Sequence, residues 1–236
     1  MALSDQRLTV LEIINEVREK TKLDSVTTIT SDSDSLLKLK LLNDVVSEVA
    51  DHGDWQELLT EFYVTAQSSA ATYSISTQAS AAGVRVIQNI HEVVFADDTA
   101  EMRKTDIDTI RRLQRVGSFG APKQWSVQGV DSEGNPKISV YPTPASAENG
   151  EVFTVLVYSK PPFYTTANGT TRPPFPGKLL VQGLWAKTVL DESDGEPTER
   201  FKAVNLIYED LLTESFNRYN GDTGSTTWFR PGRGRR

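Results

Sequence analysis

The sequence predicts an α+β protein in which two pairs of helices flank an antiparallel, β-rich middle. Near both ends of the chain, apolar residues recur every three or four positions, which is the spacing of one helix face. In the middle, this spacing gives way to short runs of β-branched and aromatic residues, which favour strands. The predicted domains are therefore a helical body of residues 1–60 and 175–220, a β-rich insert of residues 61–174 and a disordered tail of residues 221–236.

The first two helices are predicted from their apolar stripes. The stripe of the first helix, over residues 4–20, consists of Leu8, Leu11, Ile14 and Val17. A polar stretch rich in Ser, Thr and Asp follows, and Ser33 or Asp34 is a candidate N-cap for a second helix over residues 35–51. Gly53 is expected to end that helix, since glycine tolerates the left-handed C-cap conformation.

The middle of the chain contains the predicted strands. In chain order they are residues 61–66, 72–77, 84–95, 100–104, 123–128, 137–141 and 151–159. The first two are joined by a turn of small residues, the third and fourth are partners, and the fifth and sixth form a hairpin. Prolines between residues 161 and 176 end the sheet, because proline cannot donate a ladder hydrogen bond.

A short helix interrupts these strands. It begins at Thr105, whose spacing to Asp108 is that of a capping box, and its stripe consists of Ile107, Ile110, Leu113 and Val116. Three arginines, at positions 111, 112 and 115, form a basic face on it. This face is either an ordinary solvated surface or a contact for nucleic acid or an acidic neighbour.

Helical spacing returns over residues 177–190 and 197–219, with Pro197 suited to a first helical position and Gly221 to a stop. Neither helical pair can bury its stripe alone, so the two pairs are expected to pack together. The stretch beyond Gly221 has no periodicity and is predicted to be disordered in the free monomer.

The net charge of −7 is unevenly distributed. Residues 221–236 contain four arginines and one aspartate, +3, which leaves −10 in the first 220 residues. An acidic body is not expected to bind DNA as a repressor does, because neutralising phosphates supplies most of that affinity. The N-terminus lacks the pattern of a signal peptide and no segment has 18 consecutive apolar residues, so no membrane association is predicted.

Residues that carry catalysis or bind metals are scarce. The chain has no cysteine and two histidines, His52 and His91, and it contains none of the common nucleotide-binding, zinc or nucleophile motifs. The run of Ser and Asp at residues 31–35 lacks the central Gly and distant Glu of a calcium loop. The acid pairs Asp97–Asp98 and Asp191–Glu192 are expected to be ordinary surface residues. We therefore predict no catalytic residues, no cofactor and no metal site.

The tail combines two large aromatic residues with four arginines, the residue types that most often anchor interfaces. The predicted partner-binding residues are Trp228, Phe229, Arg230, Arg233, Arg235 and Arg236. The alternative is a flexible segment without a partner. Exposed aromatic residues reduce solubility, which favours the binding interpretation.

The β-rich middle resembles the head-to-tail adaptor, or head-completion (tail accessory), proteins of tailed phages, especially short-tailed ones. The resemblance lies in the order of its segments over roughly residues 35–220. These are Trp55 before the strand EFYVTAQSSAATYSIS, the strand ending VVFAD, the helix IDTIRRLQRV, GAPKQWSV, KISVYPTPA, EVFTVLVYSKPP and the closing helices around Gly183-Leu184-Trp185-Ala186. No single motif among them is diagnostic, and none is catalytic.

This resemblance implies a structural protein of the virion neck, assembled in the host cytoplasm, that forms a ring, commonly of twelve subunits, beneath the portal protein. It implies that the C-terminal extension docks on the portal, that tail nozzle, tube or fibre proteins bind below, and that genomic DNA passes through the lumen without specific binding. The alternatives are another neck or tail component (tail tube, head closure or fibre attachment) and an enzyme that depends on clustered carboxylates.

Overall fold

The structure, a computed structural model, describes residues 7–75, 86–96, 101–132, 134 and 136–220. Within these residues it contains five α-helices and two β-sheets, which confirms the predicted α+β class. The helices are α1 (Val10–Lys20), α2 (Ser33–Asp51), α3 (Ile107–Gln114), α4 (Gly177–Asp191) and α5 (Glu199–Asn220). The strands are β1 (Leu59–Thr65), β2 (Thr72–Ser74), β3 (Val86–Phe95), β4 (Arg103–Lys104), β5 (Gln124–Val130), β6 (Pro136–Tyr141) and β7 (Val152–Lys160).

The contacts within the chain divide it into two compact units. The helical unit comprises the described residues up to Glu57 and from Phe163 onward, and the β unit comprises Leu58–Pro162. The β unit is therefore inserted between α2 and α4 in the sequence. Each unit is described separately below.

Helix α1 begins later than its apolar spacing predicts, because a capping box stops it at Thr9. The Thr9 hydroxyl accepts a hydrogen bond from the Glu12 backbone N–H at 3.2 Å, and the Glu12 carboxylate accepts one from the Thr9 N–H at 2.7 Å. Two backbone donors that the first turn would leave unpaired are thereby satisfied. The predicted start at residue 4 is wrong, since residues 7–9 are not helical.

The two ends of α2 also differ from the prediction. Its N-cap is Asp32, whose carboxylate accepts a hydrogen bond from the Ser35 N–H at 2.7 Å, and the two predicted caps lie inside the helix. The helix ends in the right-handed conformation at His52, so the predicted left-handed cap at Gly53 is wrong. Gly53 instead allows the close approach of Phe216, because a Cβ atom at that position would collide with its ring.

Helix α4 is the centre of the helical unit. It packs against α1, α2 and α5, and it is buried on nearly every side. Gly183 permits this packing, since a Cβ atom there would lie 2.7 Å from atoms of both Val45 and Tyr208. The irregular segment before α4 is also held to the helices, because the Asn43 side chain bonds the N–H and C=O of Tyr164 at 2.7 and 2.9 Å.

The two sheets of the β unit have the strand orders β1-β7-β3 and β2-β6-β5-β4. The predicted hairpin of β5 and β6 is confirmed, whereas β1 and β2 are not partners: β1 pairs with β7, and β2 pairs with β6. The strand pairs are antiparallel except that of β4, which pairs with β5 in parallel. The predicted partnership of residues 100–104 with the long strand is reduced to a single bridge between Glu101 and Val94.

The pairing follows from the core that the sheets share. Phe62 and Val64 from one sheet and Tyr73 from the other are buried in the same cluster, and the rings of Tyr73 and Phe153 lie 4.9 Å apart. A direct β1–β2 hairpin would place these residues side by side in one sheet. Placing the strands in different sheets lets both contribute to one core.

Helix α3 covers the outer face of the second sheet. It packs against β5 and β6, with Ile110 fully buried, and the Gln114 side chain donates hydrogen bonds to the Ser139 hydroxyl at 2.9 Å and the Val140 carbonyl at 3.0 Å. Its N-cap is Asp106, which accepts from the N–H groups of Asp108 and Thr109. The predicted capping box at Thr105 is therefore wrong, since the helix is capped one residue later by the Asp106 side chain alone.

Candidate interaction surfaces

The residues that the sequence singles out for partner binding lie outside the described residues. They are Trp228, Phe229, Arg230, Arg233, Arg235 and Arg236. Their role in binding stays a prediction, as does that of the predicted tail, residues 221–236. The described residues contain three other surfaces with the composition of a contact site.

The first surface is the outer face of α5. This helix buries Val204, Tyr208 and Leu212 on one side, where it packs on α4. Leu206 and Ile207, which lie off that stripe, remain 60% and 50% exposed. At about 100° per residue, Leu206 is roughly 200° around the helix from Val204. Two large aliphatic side chains on the solvent side of a helix are typical of a surface that a partner covers.

The second surface is the acidic turn, residues 191–199, which joins α4 to α5. It contains five carboxylates and no lysine or arginine. The turn is held rigidly, because the Ser193 hydroxyl lies 3.1, 3.0 and 2.7 Å from the carbonyl oxygens of Val189, Leu190 and Glu196. Two of its acids pair with cations that follow it: Glu192 with Arg200 at 3.6 Å, and Glu199 with Lys202 at 2.7 Å.

The remaining three acids of the turn, Asp191, Asp194 and Glu196, are exposed and form no salt bridge within the described part of the chain. The turn therefore presents unneutralised negative charge. The sequence prediction treated Asp191–Glu192 as an ordinary acid pair. Its density of charge becomes apparent only when residues 194–199 are added to the same turn.

The third surface is the arginine patch, which we define as Arg103, Arg111, Arg112, Arg115, Val116 and Phe119. All six residues are exposed, Val116 by 76% and Phe119 by 61%. Arg111 lies 3.7 Å from Asp108, whereas the other three arginines form no salt bridge among the described residues. The patch thus combines free guanidinium groups with apolar surface, which is the composition of an interface rather than of a merely solvated face.

The Ser and Asp run at residues 31–35 has a structural role. The guanidinium of Arg18 forms a two-pronged salt bridge with Asp32, at 3.0 and 2.9 Å, and it contacts Asp34 at 2.7 Å. Asp34 also accepts a hydrogen bond from the buried Lys38 ammonium at 2.5 Å. The carboxylates are therefore neutralised by protein cations, and hydrogen bonding from Ser35 and Arg18 lowers the pKa of Asp32.

Both histidines contact aromatic rings. The His52 ring lies edge-on to Phe216 at 5.3 Å, and the His91 ring lies edge-on to Tyr158 at 5.4 Å. Among the described residues, no group of three or more histidine, aspartate or glutamate side chains could hold a metal ion. The acid pair Asp97–Asp98 lies outside the described residues.

Two buried tyrosines, Tyr164 and Tyr208, have raised pKa values and are therefore not poised to act as bases. Burial raises the pKa of Tyr164 to about 12. Burial also raises the pKa of Tyr208, and the nearby Glu48 carboxylate acts in the same direction. A tyrosine that acts as a base needs the opposite shift, toward neutral pH. These two hydroxyls therefore belong to the packing of the helical unit.

Comparison with known proteins gives one result over nearly the whole chain. A family model described as SU10 adaptor protein matches residues 8–235. No curated protein matches the chain. None of the described helices combines the length and the apolar character needed to cross a membrane.

Proposed function

Because the chain belongs to the SU10 adaptor protein family, which is a family of structural phage adaptors, we propose that it forms a ring beneath the portal and joins the phage head to the tail. The match over residues 8–235 carries this proposal. The protein would act in the virion neck after assembly in the host cytoplasm. The proposed role is structural and requires no catalytic residue.

The exposed face of α5 supports subunit contacts in such a ring. Leu206 and Ile207 lie outside the packing of the helical unit and are available to a neighbouring copy. A head-to-tail contact uses two different patches on each copy, and it closes into a ring when the rotation per subunit divides a full circle. We propose twelve subunits, with genomic DNA passing through the lumen without specific binding.

The tail would dock on the portal. Its two aromatic residues would supply burial and its four arginines would supply charge-assisted hydrogen bonds. This division of roles predicts that raising the salt concentration weakens attachment only in part, because screening acts on the charges and hardly on aromatic burial.

Mixing the purified protein with purified portal and sizing the product tests the proposed ring. We expect a complex at micromolar concentrations whose mass corresponds to one ring per portal. The Leu206→Glu/Ile207→Glu variant should leave the monomer folded and reduce ring assembly, whereas the matched Asn217→Glu variant, exposed on the same helix, should assemble normally. Failure of the unaltered protein to form any complex would overturn the proposal.

The tail is tested by removing residues 221–236. We expect the truncated protein to keep the far-ultraviolet circular dichroism of the full chain and to bind portal at least tenfold more weakly. The Trp228→Ala/Phe229→Ala variant should reproduce most of this loss, and the Thr226→Ala/Thr227→Ala control should not. Unchanged portal binding by the truncated protein would exclude the tail from the attachment.

A different neck or tail component is the second candidate, and the outer edge of β1 favours it. Among the described residues, this strand pairs only with β7, in an unbroken register from Leu59 to Thr65. An edge of this kind can accept an extended segment of a tube, nozzle or fibre protein as an added strand. Spontaneous assembly of the purified protein into tubes without portal would support this alternative.

A further inference from the structure

The arginine patch lies in a basic stretch of an acidic chain. Residues 103–123 contain six lysines and arginines against two acids, +4, whereas the whole chain has a charge of −7. Of the two acids, Asp106 is engaged as the N-cap of α3, and Asp108 reaches only Arg111. Apart from Arg111, the arginines of the patch are therefore not neutralised by a salt bridge within the described residues.

The arginines of the patch come from two elements, β4 and α3, that lie on the same outer side of the second sheet. Arg103 pairs with Gln124, which lies on the face of the sheet opposite to the buried Trp125. Helix α3 covers this same outer face, where Gln114 bonds Ser139. Phe119 follows α3 closely and forms a bridge with Thr143 beyond the end of β6. The exposed Val116 directly follows Arg115 at the end of α3, and the exposed Phe119 comes three residues later.

A protein partner fits this surface better than nucleic acid does. DNA binding depends on the number of phosphates that are neutralised, and the overall negative charge of the chain opposes the approach of a polyanion. Exposed Val116 and Phe119 would gain nothing from a phosphate backbone. Arginine beside aromatic and aliphatic side chains is typical of protein interfaces.

The acidic turn at residues 191–199 has the complementary character. It presents three carboxylates that no cation of the described chain neutralises, in a conformation held by the Ser193 hydroxyl. The patch and the turn are different surfaces of the same chain, so every copy carries one of each. That is the requirement for a head-to-tail contact that repeats around a ring.

We infer that the arginine patch of one copy docks on the acidic turn of a second copy, with Arg112 and Arg115 facing Asp191 and Glu196. This inference rests on the proposed ring and identifies the surfaces that form it. Each exposed ion pair is weak, so a single contact between two copies is transient. A closed ring makes the contact once per subunit, and the combined contacts become stable.

The absence of cysteine from the chain allows a direct test. Ser118→Cys places a thiol beside Val116 and Phe119, and Pro197→Cys places one in the acidic turn without removing a carboxylate. The two variants, distinguished by a size tag on one of them, are mixed at micromolar concentration and oxidised. We expect the mixed disulfide dimer to form at least tenfold more than with the matched pair Ser132→Cys and Pro197→Cys. Equal yields from the two pairs would overturn the inference.

Charge reversal tests whether the cross-linking depends on salt bridges between the patch and the turn or arises from nonspecific collisions. In the Ser118→Cys chain, Arg112→Glu/Arg115→Glu should reduce the mixed dimer to the level of the control pair. Adding Asp191→Lys/Glu196→Lys to the Pro197→Cys chain should restore it, which a misfolded variant could not do. Cross-linking that is insensitive to both reversals would contradict the proposed contact.

DNA binding and ring formation on the portal distinguish the inferred contact from the alternatives. Binding of a fluorescent DNA duplex that is lost in the Arg112→Glu/Arg115→Glu variant, without any mixed dimer, would assign the patch to nucleic acid and overturn the inference. Ring formation on the portal without the mixed dimer would overturn the inference alone. The mixed dimer without any portal complex would overturn the proposed portal function and leave the contact standing.

Discussion

At the scale of single residues, Arg18 connects α1 to the loop that follows it and to the start of α2. Its side chain is 6% exposed, and it joins α1 to the Asp24 carbonyl in the following loop and to both carboxylates at the start of α2. A guanidinium can make this many directed bonds because its donors lie in one rigid plane. Lysine at this position would lose the two-pronged contact with Asp32.

We expect Arg18→Met to lower the free energy of unfolding by about 3 kcal/mol, because it leaves a partly buried acid cluster without one of its cations. Urea unfolding of the two proteins measures this. Arg218→Met is the control, since Arg218 pairs with Glu214 at 2.6 Å on an exposed helix face. Such a pair contributes about 0–1 kcal/mol. Equal losses in the two variants would show that the Arg18 cluster has no special role.

The lowered pKa of Asp32 predicts how the stability of the fold depends on pH. Hydrogen bonding from Ser35 and Arg18 lowers this pKa in the folded state, so the unfolded chain binds the proton more readily. The stabilisation is complete above the unfolded value of about 3.9 and is lost as pH falls through the folded value. Asp32→Asn keeps a capping oxygen without the titration, so its stability should fall less steeply as pH drops below about 4 in urea unfolding. Parallel curves would contradict this.

At the scale of the elements, α4 depends on close approach by its neighbours. Gly183→Ala adds a methyl group 2.7 Å from both Val45 and Tyr208. Overpacking of this kind costs about 1–3 kcal/mol, whereas replacing glycine by alanine in a helix gains roughly 0.5–1 kcal/mol. We therefore expect a net loss of about 1 kcal/mol and a Tm lower by about 2–4 °C.

Gly169→Ala, in the irregular segment before α4, is the control for an added methyl group without overpacking, since a Cβ there would lie no closer than 3.7 Å to its neighbours. Thermal unfolding of both variants compares them directly. A Gly183→Ala protein as stable as the control would mean that α2 and α5 move apart at little cost.

Elements with a strong local pattern could be predicted from the sequence, and partnerships between distant strands could not. The stripes of α2, α4 and α5 and the aromatic run of β7 were sufficient to locate them. The start of α1 depended on one capping box at Thr9, and the partner of β1 depended on a core contributed by both sheets. Neither is visible in the spacing of apolar residues.

The candidate surfaces show the same division. The basic face of α3 was apparent from its arginines, because three of them fall within one short helix. The exposed Leu206 and Ile207 were not, since apolar residues next to a stripe do not reveal which side the neighbouring helix covers. The sequence feature that could have indicated this exposed surface is the pair of adjacent aliphatic residues outside the apolar stripe.

At the scale of the whole molecule, the β unit is inserted in the sequence of the helical unit, and its first and last strands are neighbours in one sheet. Leu59 at the start of β1 pairs with Tyr158 near the end of β7. The ends of the unit are therefore close together, and its core is built from its own residues. We propose that residues 58–162 form an independent domain.

Expressed alone, residues 58–162 should fold and unfold cooperatively. The near-ultraviolet circular dichroism of the buried Trp125 reports on this core, and the full chain is the reference. Loss of the signal in the Phe153→Ala fragment, by removal of a central core ring, is the expected negative control. A fragment with no cooperative transition would contradict the independence of this domain.

The central position of α4 has a consequence for synthesis on the ribosome. Helices α1 and α2 are complete by Asp51, but the helix that covers their apolar stripes begins only at Gly177. At about 5–20 residues per second, the nascent chain carries these stripes uncovered for on the order of 10 s. The β unit emerges entirely within that interval. It can therefore be folded before the N-terminal helices receive their partner, which makes the helical unit the later of the two to form.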